Sequence, residues 1–141
     1  MAILNPTLAC ADPLHLADDL DRLVAGGAAM LHIDVMDGHY VPNFCLSFDQ
    51  AAAIKRYCPQ LPMDIHLMVD APFAWLERLR VLAPEYAAFQ ADSTSFGVRF
   101  VQELRMAGIR PGVVLNPSQP LEVLDELLPR VDYVLLLGVE P

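Results

Sequence analysis

Lysine is almost absent from this 141-residue sequence. Its only lysine, Lys55, falls in a stretch with helical spacing. A Schiff-base aldolase needs a lysine in its active site, so that class of reaction is nearly excluded. Basic residues are scarce as a group, with 9 Lys and Arg against 18 Asp and Glu and a net charge of −9. This acidic balance argues against nucleic acids and anionic membranes as partners.

Cysteine pairs, long apolar runs and common cofactor motifs are missing too. The three cysteines, Cys10, Cys45 and Cys58, form no CxxC pair, which argues for reduced thiols and against a disulfide framework. No apolar run reaches the ~18 residues of a membrane helix, and residues 1–13 have no basic leader. The motifs GxGxxG, GxxxxGK[ST] and HExxH do not occur. We therefore expect a soluble, cytoplasmic protein.

Hydrophobic residues are plentiful at 55% of the chain, which is enough for the core of one domain over 1–141. Two kinds of segment alternate along it. Short apolar runs predict strands at 3–9, 29–36, 62–69, 86–91, 111–116 and 133–139. Amphipathic spacing predicts helices at 13–25, 47–57, 72–82, 97–107 and 120–128. The first helix is predicted to begin at Asp12 and Pro13 and to end at Gly26 and Gly27.

Repeated strand–helix units predict a parallel sheet with right-handed crossovers. An open doubly wound sheet would need both faces of its strands apolar. Here "LHIDVM" at 31–36 and "DIHLMV" at 64–69 each carry polar residues on one face and apolar residues on the other. A (β/α)8 barrel fits better, because its interior holds polar sites at the strand ends. The chain ends just after the sixth predicted strand, so we expect an open variant or a truncated barrel with about six of eight units.

Three residues on the predicted interior face form a candidate metal site. His32 and Asp34 stand two apart on one strand, and His66 stands at a similar depth on the next. Two imidazoles and a carboxylate are a plausible set of ligands for a divalent ion. The alternative is that both histidines are ordinary core residues and that Asp34 caps a loop.

Other candidate residues surround this group. Met36 and Met68 follow on the same strand faces, where thioethers would either wall a site or simply fill the core. The segment "DGHYVPN" at 37–43 follows the second predicted strand, where barrel enzymes place functional loops. Ordinary turn chemistry is the alternative for Asp37 and His39.

Two long segments resemble the signature motifs of the ribulose-phosphate 3-epimerase family. They are "LHIDVMDGHYVPN" at 31–43 and "MDIHLMV" at 63–69, and "NPTLACAD" at 5–12 and "GVVLNPSQPLEVL" at 112–124 are similar to further family segments. The related allulose-phosphate epimerases share these motifs. The resemblance implies a (β/α)8 barrel that inverts C3 of a ketose phosphate: ribulose 5-phosphate to xylulose 5-phosphate, or allulose 6-phosphate to fructose 6-phosphate.

The resemblance also implies residue functions. His32, Asp34 and His66 match metal ligands for one divalent ion, with Zn2+ favoured and Fe2+, Mn2+ or Co2+ as alternatives. Asp34 matches the acid/base on one face of the substrate, and the reaction passes through an enediolate. Cys10, Met36, Met68 and His66 match positions that contact substrate, whereas Gln90 stands where the family usually has a histidine.

The family's second carboxylate and its phosphate-binding glycine loops would lie beyond residue 141. We therefore expect the 141-residue chain to be weakly active or inactive. One alternative is a non-catalytic partial barrel that binds metal and associates through exposed sheet edges, in line with an expected homo-oligomer. A metal-dependent lyase or aldolase is a third possibility.

Overall fold

A computed structural model describes residues 3–141 of the protein. Its centre is a five-stranded parallel sheet whose strands lie side by side in chain order. The strands are β1 (Leu31–Met36), β2 (Met63–Met68), β3 (Tyr86–Gln90), β4 (Arg110–Leu115) and β5 (Tyr133–Leu136). A doubly wound sheet reverses its strand order at a switch point, and this sheet does not. The fold is α/β and is consistent with part of a (β/α)8 barrel, as the sequence predicts.

Helices connect most of the strands. They are α1 (Leu16–Ala25), α2 (Phe48–Tyr57), α3 (Leu76–Leu82) and α4 (Gly97–Met106). Helix α2 begins with a capping box, in which the Ser47 side chain accepts from the Gln50 amide and the Gln50 side chain accepts from the Ser47 amide. The C-terminus of α1 follows the prediction, since Gly26 caps it and Gly27 takes a φ of 78°.

The two faces of β1 and β2 separate as the alternation predicts. Leu31, Ile33 and Val35 are buried in the apolar core shared with the helices. The opposite face carries His32 and Asp34. In the ladder between these strands Asp34 pairs with His66 and Met36 pairs with Met68. This register places the polar side chains of both strands at the same depth on the same side of the sheet.

The strand predicted over 3–9 does not form, and this prediction is wrong. Only an isolated bridge joins Thr7 to His32. The carbonyls of Leu4 and Pro6 accept hydrogen bonds from the amides of Ala29 and His32, so the segment does lie along β1. Pro6 has no N–H to return, and a ladder cannot continue through it.

Two helix predictions need correction at their ends. Helix α1 begins at Leu16 with His15 as N-cap, because Asp12 instead accepts from the Leu14 amide in a turn before the helix. The helix predicted over 120–128 is a short 3-10 helix at Leu121–Leu124 followed by turns. Pro129 disfavours helical backbone at the residue before it, which helps to explain the early end.

The helix predicted over 72–82 is divided into two parts. A 3-10 helix at Pro72–Trp75 precedes α3.

Within residues 3–141, no helix combines the length and the apolar character that crossing a bilayer would require.

Candidate metal centre

Strands β1 and β2 bring the three predicted ligands together. One potential ligand atom from each of His32, Asp34 and His66 lies within 4.8 Å of the others. His32 and Asp34 share a face because they stand two apart on β1, and the register places His66 beside Asp34. The strand pairing therefore produces the cluster without help from any loop.

Asp34 is the centre of this cluster and is only 8% exposed. Its Oδ1 lies 3.0 Å from Nδ1 of His66 and 3.2 Å from Nε2 of His32. Its Oδ2 accepts a hydrogen bond of 2.6 Å from the hydroxyl of Thr7. Both carboxylate oxygens are thus oriented, and Oδ1 is the atom that faces the two imidazoles.

His32 lies between two carboxylates. Its Nε2 faces Asp34, and its Nδ1 lies 2.8 Å from Oδ2 of Asp64, a residue on the same face of β2 as His66. Asp64 also accepts hydrogen bonds from the side-chain NH2 group of Asn5 and the hydroxyl of Tyr133. A carboxylate behind a histidine is the usual arrangement that fixes the ring of a metal ligand.

The charges of the site shift two pKa values. Burial by itself lowers the pKa of His32, but hydrogen bonds and the charges of Asp34 and Asp64 outweigh burial and raise that pKa to about 9. Burial by itself raises the pKa of Asp34, yet hydrogen bonds from His32, His66 and Thr7 hold it well below its ordinary value. Asp34 is therefore a carboxylate at neutral pH, and the site attracts positive charge.

His66 is almost fully buried, at 2% exposure, and both of its ring nitrogens have partners. Nδ1 contacts Asp34, and Nε2 lies 3.1 Å from the side-chain nitrogen of Gln90 on β3. Gln90 is itself 0% exposed. Its side-chain oxygen is buried and has no hydrogen-bond partner among the described residues.

These donors fit a divalent cation. Nε2 of His32, Oδ1 of Asp34 and Nδ1 of His66 face one another, and a set of two imidazoles and one carboxylate suits Zn2+ and similar ions. The outer contact of His32 with Asp64 is of the kind that supports a ligand. The side-chain amide of Gln90 is a further polar group beside His66, with its nitrogen 3.1 Å from Nε2 of the ring.

The remaining predicted site residues lie at different distances from the cluster. Met36 and Met68 are paired at the C-terminal ends of β1 and β2, one step beyond Asp34 and His66 on the same face, and Met68 is buried. Cys10 is exposed in the turn that follows the Thr7–His32 bridge. Contact of these three side chains with a substrate remains a prediction.

The loop after β1 is organised by Asp37. Oδ1 of Asp37 accepts from the amides of His39 and Tyr40, and Oδ2 accepts from the amide of Asp70. These are the contacts of a turn-forming residue, which is the alternative that the sequence left open for Asp37. They tie the loop to the segment after β2.

Sequence reasoning assigned no function to several residues that support the cluster: Thr7, Asp64, Gln90 and Tyr133. Asp64 had a usable signal, because it stands two before His66 and so shares its strand face. Tyr133 had none, because it lies 69 residues from its partner Asp64.

Comparison with known proteins gives consistent matches. A sequence model of the Ribulose-phosphate 3 epimerase family matches residues 3–141. Ribulose-phosphate 3-epimerase of Mycobacterium bovis is 34% identical over 139 residues, which cover 99% of this chain and 59% of the relative. Ribulose-phosphate 3-epimerase of Helicobacter pylori is 37% identical over 136 residues, which cover 96% of this chain and 61% of the relative. The chain thus spans about three fifths of the length of these relatives.

A solved structure from Burkholderia cenocepacia J2315, provisionally described as a lyase/mutase, resembles the fold. The TM-score is 0.61 at 17% identity, and the match covers 95% of this chain and 54% of the other. At that identity the likeness concerns the fold alone. Because the family model matches nearly every residue, the chain belongs to the ribulose-phosphate 3-epimerase family.

Proposed function

We propose that this chain carries the metal-binding and proton-abstracting part of an epimerase that inverts C3 of a ketose phosphate. Its substrate is D-ribulose 5-phosphate, which becomes D-xylulose 5-phosphate, or else allulose 6-phosphate, which becomes fructose 6-phosphate. The observation that carries the proposal is the cluster of His32, Asp34 and His66, whose ligand atoms lie within 4.8 Å of one another. Membership of the family supports the reaction class.

His32, Asp34 and His66 would hold one divalent ion, and we propose Zn2+, with Fe2+, Mn2+ or Co2+ as alternatives. Bound there, the ion would polarise the ketone and stabilise the charge of the enediolate. Asp64 keeps the ring of His32 oriented through its bond to Nδ1. Thr7 fixes the free oxygen of Asp34, so that little rearrangement is needed when ligand and substrate arrive.

Asp34 would remove the proton at C3. Its pKa lies well below the ordinary value because of hydrogen bonds that outweigh burial, so it is already in the form that accepts a proton. Met36 and Met68, paired at the strand ends, would shield this step from water. Cys10 would contact the substrate from the turn after the Thr7–His32 bridge.

Inversion also requires an acid that returns a proton to the opposite face of the substrate. Within residues 3–141, the cluster of His32, Asp34 and His66 contains a single carboxylate, that of Asp34, which we assign to proton removal. We therefore expect the 141-residue chain to exchange the C3 proton of ribulose 5-phosphate with solvent faster than it inverts the configuration.

Metal binding is tested by substitution of one ligand. We expect His32→Ala to lower the affinity for Zn2+ by more than about tenfold, since even an outer partner of a ligand contributes that much. His15→Ala is the matched control, because His15 lies before α1 with 65% of its side chain exposed and pairs with Asp12. Zinc content after dialysis and competition with a chelating dye give the two affinities. Equal metal content in the parent and His32→Ala would refute the proposed ligand set.

Proton abstraction is tested in deuterated water. The Zn2+-loaded parent is incubated with D-ribulose 5-phosphate, and NMR follows both the loss of the C3 proton signal and the appearance of D-xylulose 5-phosphate. We expect Asp34→Asn to reduce the exchange by about 100-fold or more, because positioned proton transfer typically contributes 10²–10⁴-fold. Asp49→Asn, on an exposed side chain of α2, should leave exchange unchanged. Equal exchange in the parent and Asp34→Asn would assign the base elsewhere.

The alternative function is a non-catalytic partial barrel that binds metal and associates with another chain. The observation that favours it is strand β5, which pairs with β4 on one side and with no other strand of the described chain on the other. Leu136 at its end is 65% exposed. An apolar strand with an unpaired edge is a template for association.

A further inference from the structure

Gln90 is a buried amide with an unusual set of contacts. It is 0% exposed at the end of β3, and its side-chain nitrogen lies 3.1 Å from Nε2 of His66. Its side-chain oxygen is buried and has no partner among residues 3–141. A buried polar atom without a partner costs free energy, and such atoms are uncommon enough to need an explanation.

The contacts of His66 define which ring nitrogen carries the proton when no metal is present. Nδ1 lies 3.0 Å from Oδ1 of Asp34, an ionised carboxylate that only accepts hydrogen bonds. Nδ1 must therefore be the N–H donor in the neutral ring. The other nitrogen, Nε2, then has a lone pair and accepts from the NH2 group of Gln90.

A divalent ion at this site reverses those assignments. The nitrogen of His66 that faces Asp34 is Nδ1, so an ion shared by the three residues would take the Nδ1 lone pair. The ring proton then lies on Nε2, which becomes a buried donor and needs an acceptor. Gln90 can supply one by turning its amide, because the two ends have nearly the same size but opposite hydrogen-bonding character.

The unpartnered oxygen of Gln90 leaves a single side-chain contact to exchange in this turn, that of the amide with Nε2 of His66. No hydrogen bond between that oxygen and another described residue has to break, so the orientation of the amide follows the proton on His66 alone. A carboxylate at this position would only accept, and an apolar side chain would do neither. A glutamine satisfies Nε2 of His66 in both states.

We propose that Gln90 is a positioning residue that supports both tautomers of His66, donating to Nε2 in the metal-free protein and accepting from Nε2–H when a divalent ion occupies Nδ1. The inference deepens the proposed function and rests on it for the metal-bound state. It makes Gln90 part of the metal centre without contact between Gln90 and the ion.

The test reads the tautomer directly in the 141-residue chain. Protein with 15N-labelled histidine is studied by two-bond 1H–15N correlation NMR, with assignment of the His66 ring by comparison with His66→Gln. We expect the Nδ1–H tautomer in the metal-free parent and Nε2–H after addition of Zn2+. A competing dye gives the Zn2+ affinity of each variant, and thermal unfolding shows that each is folded.

Three variants separate the hydrogen bond from simple packing. Gln90→Met keeps the size of the side chain but cannot donate and accepts only weakly. Asp34 still holds the ring proton on Nδ1 without metal, whereas Nε2–H lacks a good acceptor when metal is bound, so we expect the parental metal-free tautomer and an affinity for Zn2+ about tenfold lower. Gln90→Glu only accepts, so both ring nitrogens of His66 would face acceptors; we expect a proton on each of them without metal and most of the parent affinity for Zn2+. Gln102→Met makes the same change at an exposed site on α4 and should alter neither readout.

A folded Gln90→Met protein with parental Zn2+ affinity would overturn the proposal, and so would a metal-free parent in which His66 carries its proton on Nε2 alone. Loss of affinity in Gln90→Met without recovery in Gln90→Glu would also count against it, because it would indicate packing. If the parent bound no Zn2+, the proposed function and the metal-bound half of this inference would both be wrong. The metal-free spectra would still decide whether Nδ1 of His66 carries the proton, as donation from Gln90 to Nε2 requires.

Discussion

At the scale of single residues, three aspartates on β1, on β2 and in the loop after β1 meet different environments. Asp34 and Asp64 are buried beside imidazoles on the inner face of the sheet. Asp37, three residues beyond Asp34, is half-exposed and accepts only backbone N–H groups. Neighbours and burial, rather than residue type, separate a candidate base from a loop anchor.

The anchor at Asp37 predicts an acid-dependent contribution to stability. Burial by itself raises the pKa of Asp37, but hydrogen bonds from the amides of Asp70, His39 and Tyr40 outweigh it and lower that pKa. A carboxyl whose folded pKa is lowered stabilises the protein above its unfolded pKa of about 3.9. That contribution is lost as the pH falls through the folded pKa.

We therefore expect Asp37→Ala to lower the free energy of unfolding at pH 6 by about 1 kcal/mol, and the difference from the parent to shrink below about pH 4. Urea unfolding at several pH values measures both quantities. Asp70→Ala is the control, because it removes an exposed carboxylate but keeps the amide that binds Asp37. If the difference in unfolding free energy between Asp37→Ala and the parent stayed constant from pH 6 down to pH 3, the stabilising contacts assigned to the Asp37 carboxylate would be contradicted.

At the scale of elements, strand β4 makes room for a side chain that reaches Asp64 from the far edge of the sheet. Gly112 pairs with Tyr133 across the β4–β5 ladder, and a Cβ at position 112 would overlap the Tyr133 ring. The space lets Tyr133 pack edge-on against Tyr86 and donate to Asp64 on β2. A glycine on β4 thus helps to fix the carboxylate behind His32.

Gly112→Ala is expected to lower the free energy of unfolding by about 1–3 kcal/mol, because the added methyl group overlaps the Tyr133 ring. It should also weaken Zn2+ binding, since Tyr133 can no longer hold Asp64. Denaturant unfolding and zinc competition provide the measurements. Gly138→Ala is the matched control, because nothing lies within 4 Å of a Cβ there and its φ is not positive. A Gly112→Ala protein as stable as Gly138→Ala would show that the ring does not occupy this space.

At the scale of the whole molecule, the two edges of the sheet differ. The edge of β1 is partly covered by the segment that carries Pro6 and Thr7. The outer edge of β5 meets no other strand within residues 3–141 and carries exposed Leu136. The edge of β5 is therefore the place where we expect an additional strand or a second copy to bind.

Self-association through β5 is expected to fall when its edge is charged. Leu136→Lys should lower the weight-average mass at high protein concentration, because a lysine on an edge strand opposes edge-to-edge pairing. Sedimentation equilibrium measures the mass. Leu121→Lys is the control, since Leu121 is similarly exposed at 69% but lies on a 3-10 helix. A parent chain that remains monomeric throughout would remove the support for the association hypothesis.

The sequence by itself was enough for the parallel α/β architecture and for the face on which His32, Asp34 and His66 lie. Those features depend on local periodicity, which a strand imposes on neighbouring residues. Periodicity also placed most helices, but it missed the effect of Pro6 on the first predicted strand and of Pro129 on the last predicted helix.

Only the tertiary structure decided which side chains meet. The pairing of Asp34 with His66 depends on strand register, and the contacts of His32 with Asp64, His66 with Gln90 and Asp64 with Tyr133 join different strands. Such contacts are set by packing between segments 24 to 69 residues apart. Apart from the position of Asp64 two residues before His66, no spacing along the chain records them. The candidate ligands could therefore be predicted, and most of the residues that orient them could not.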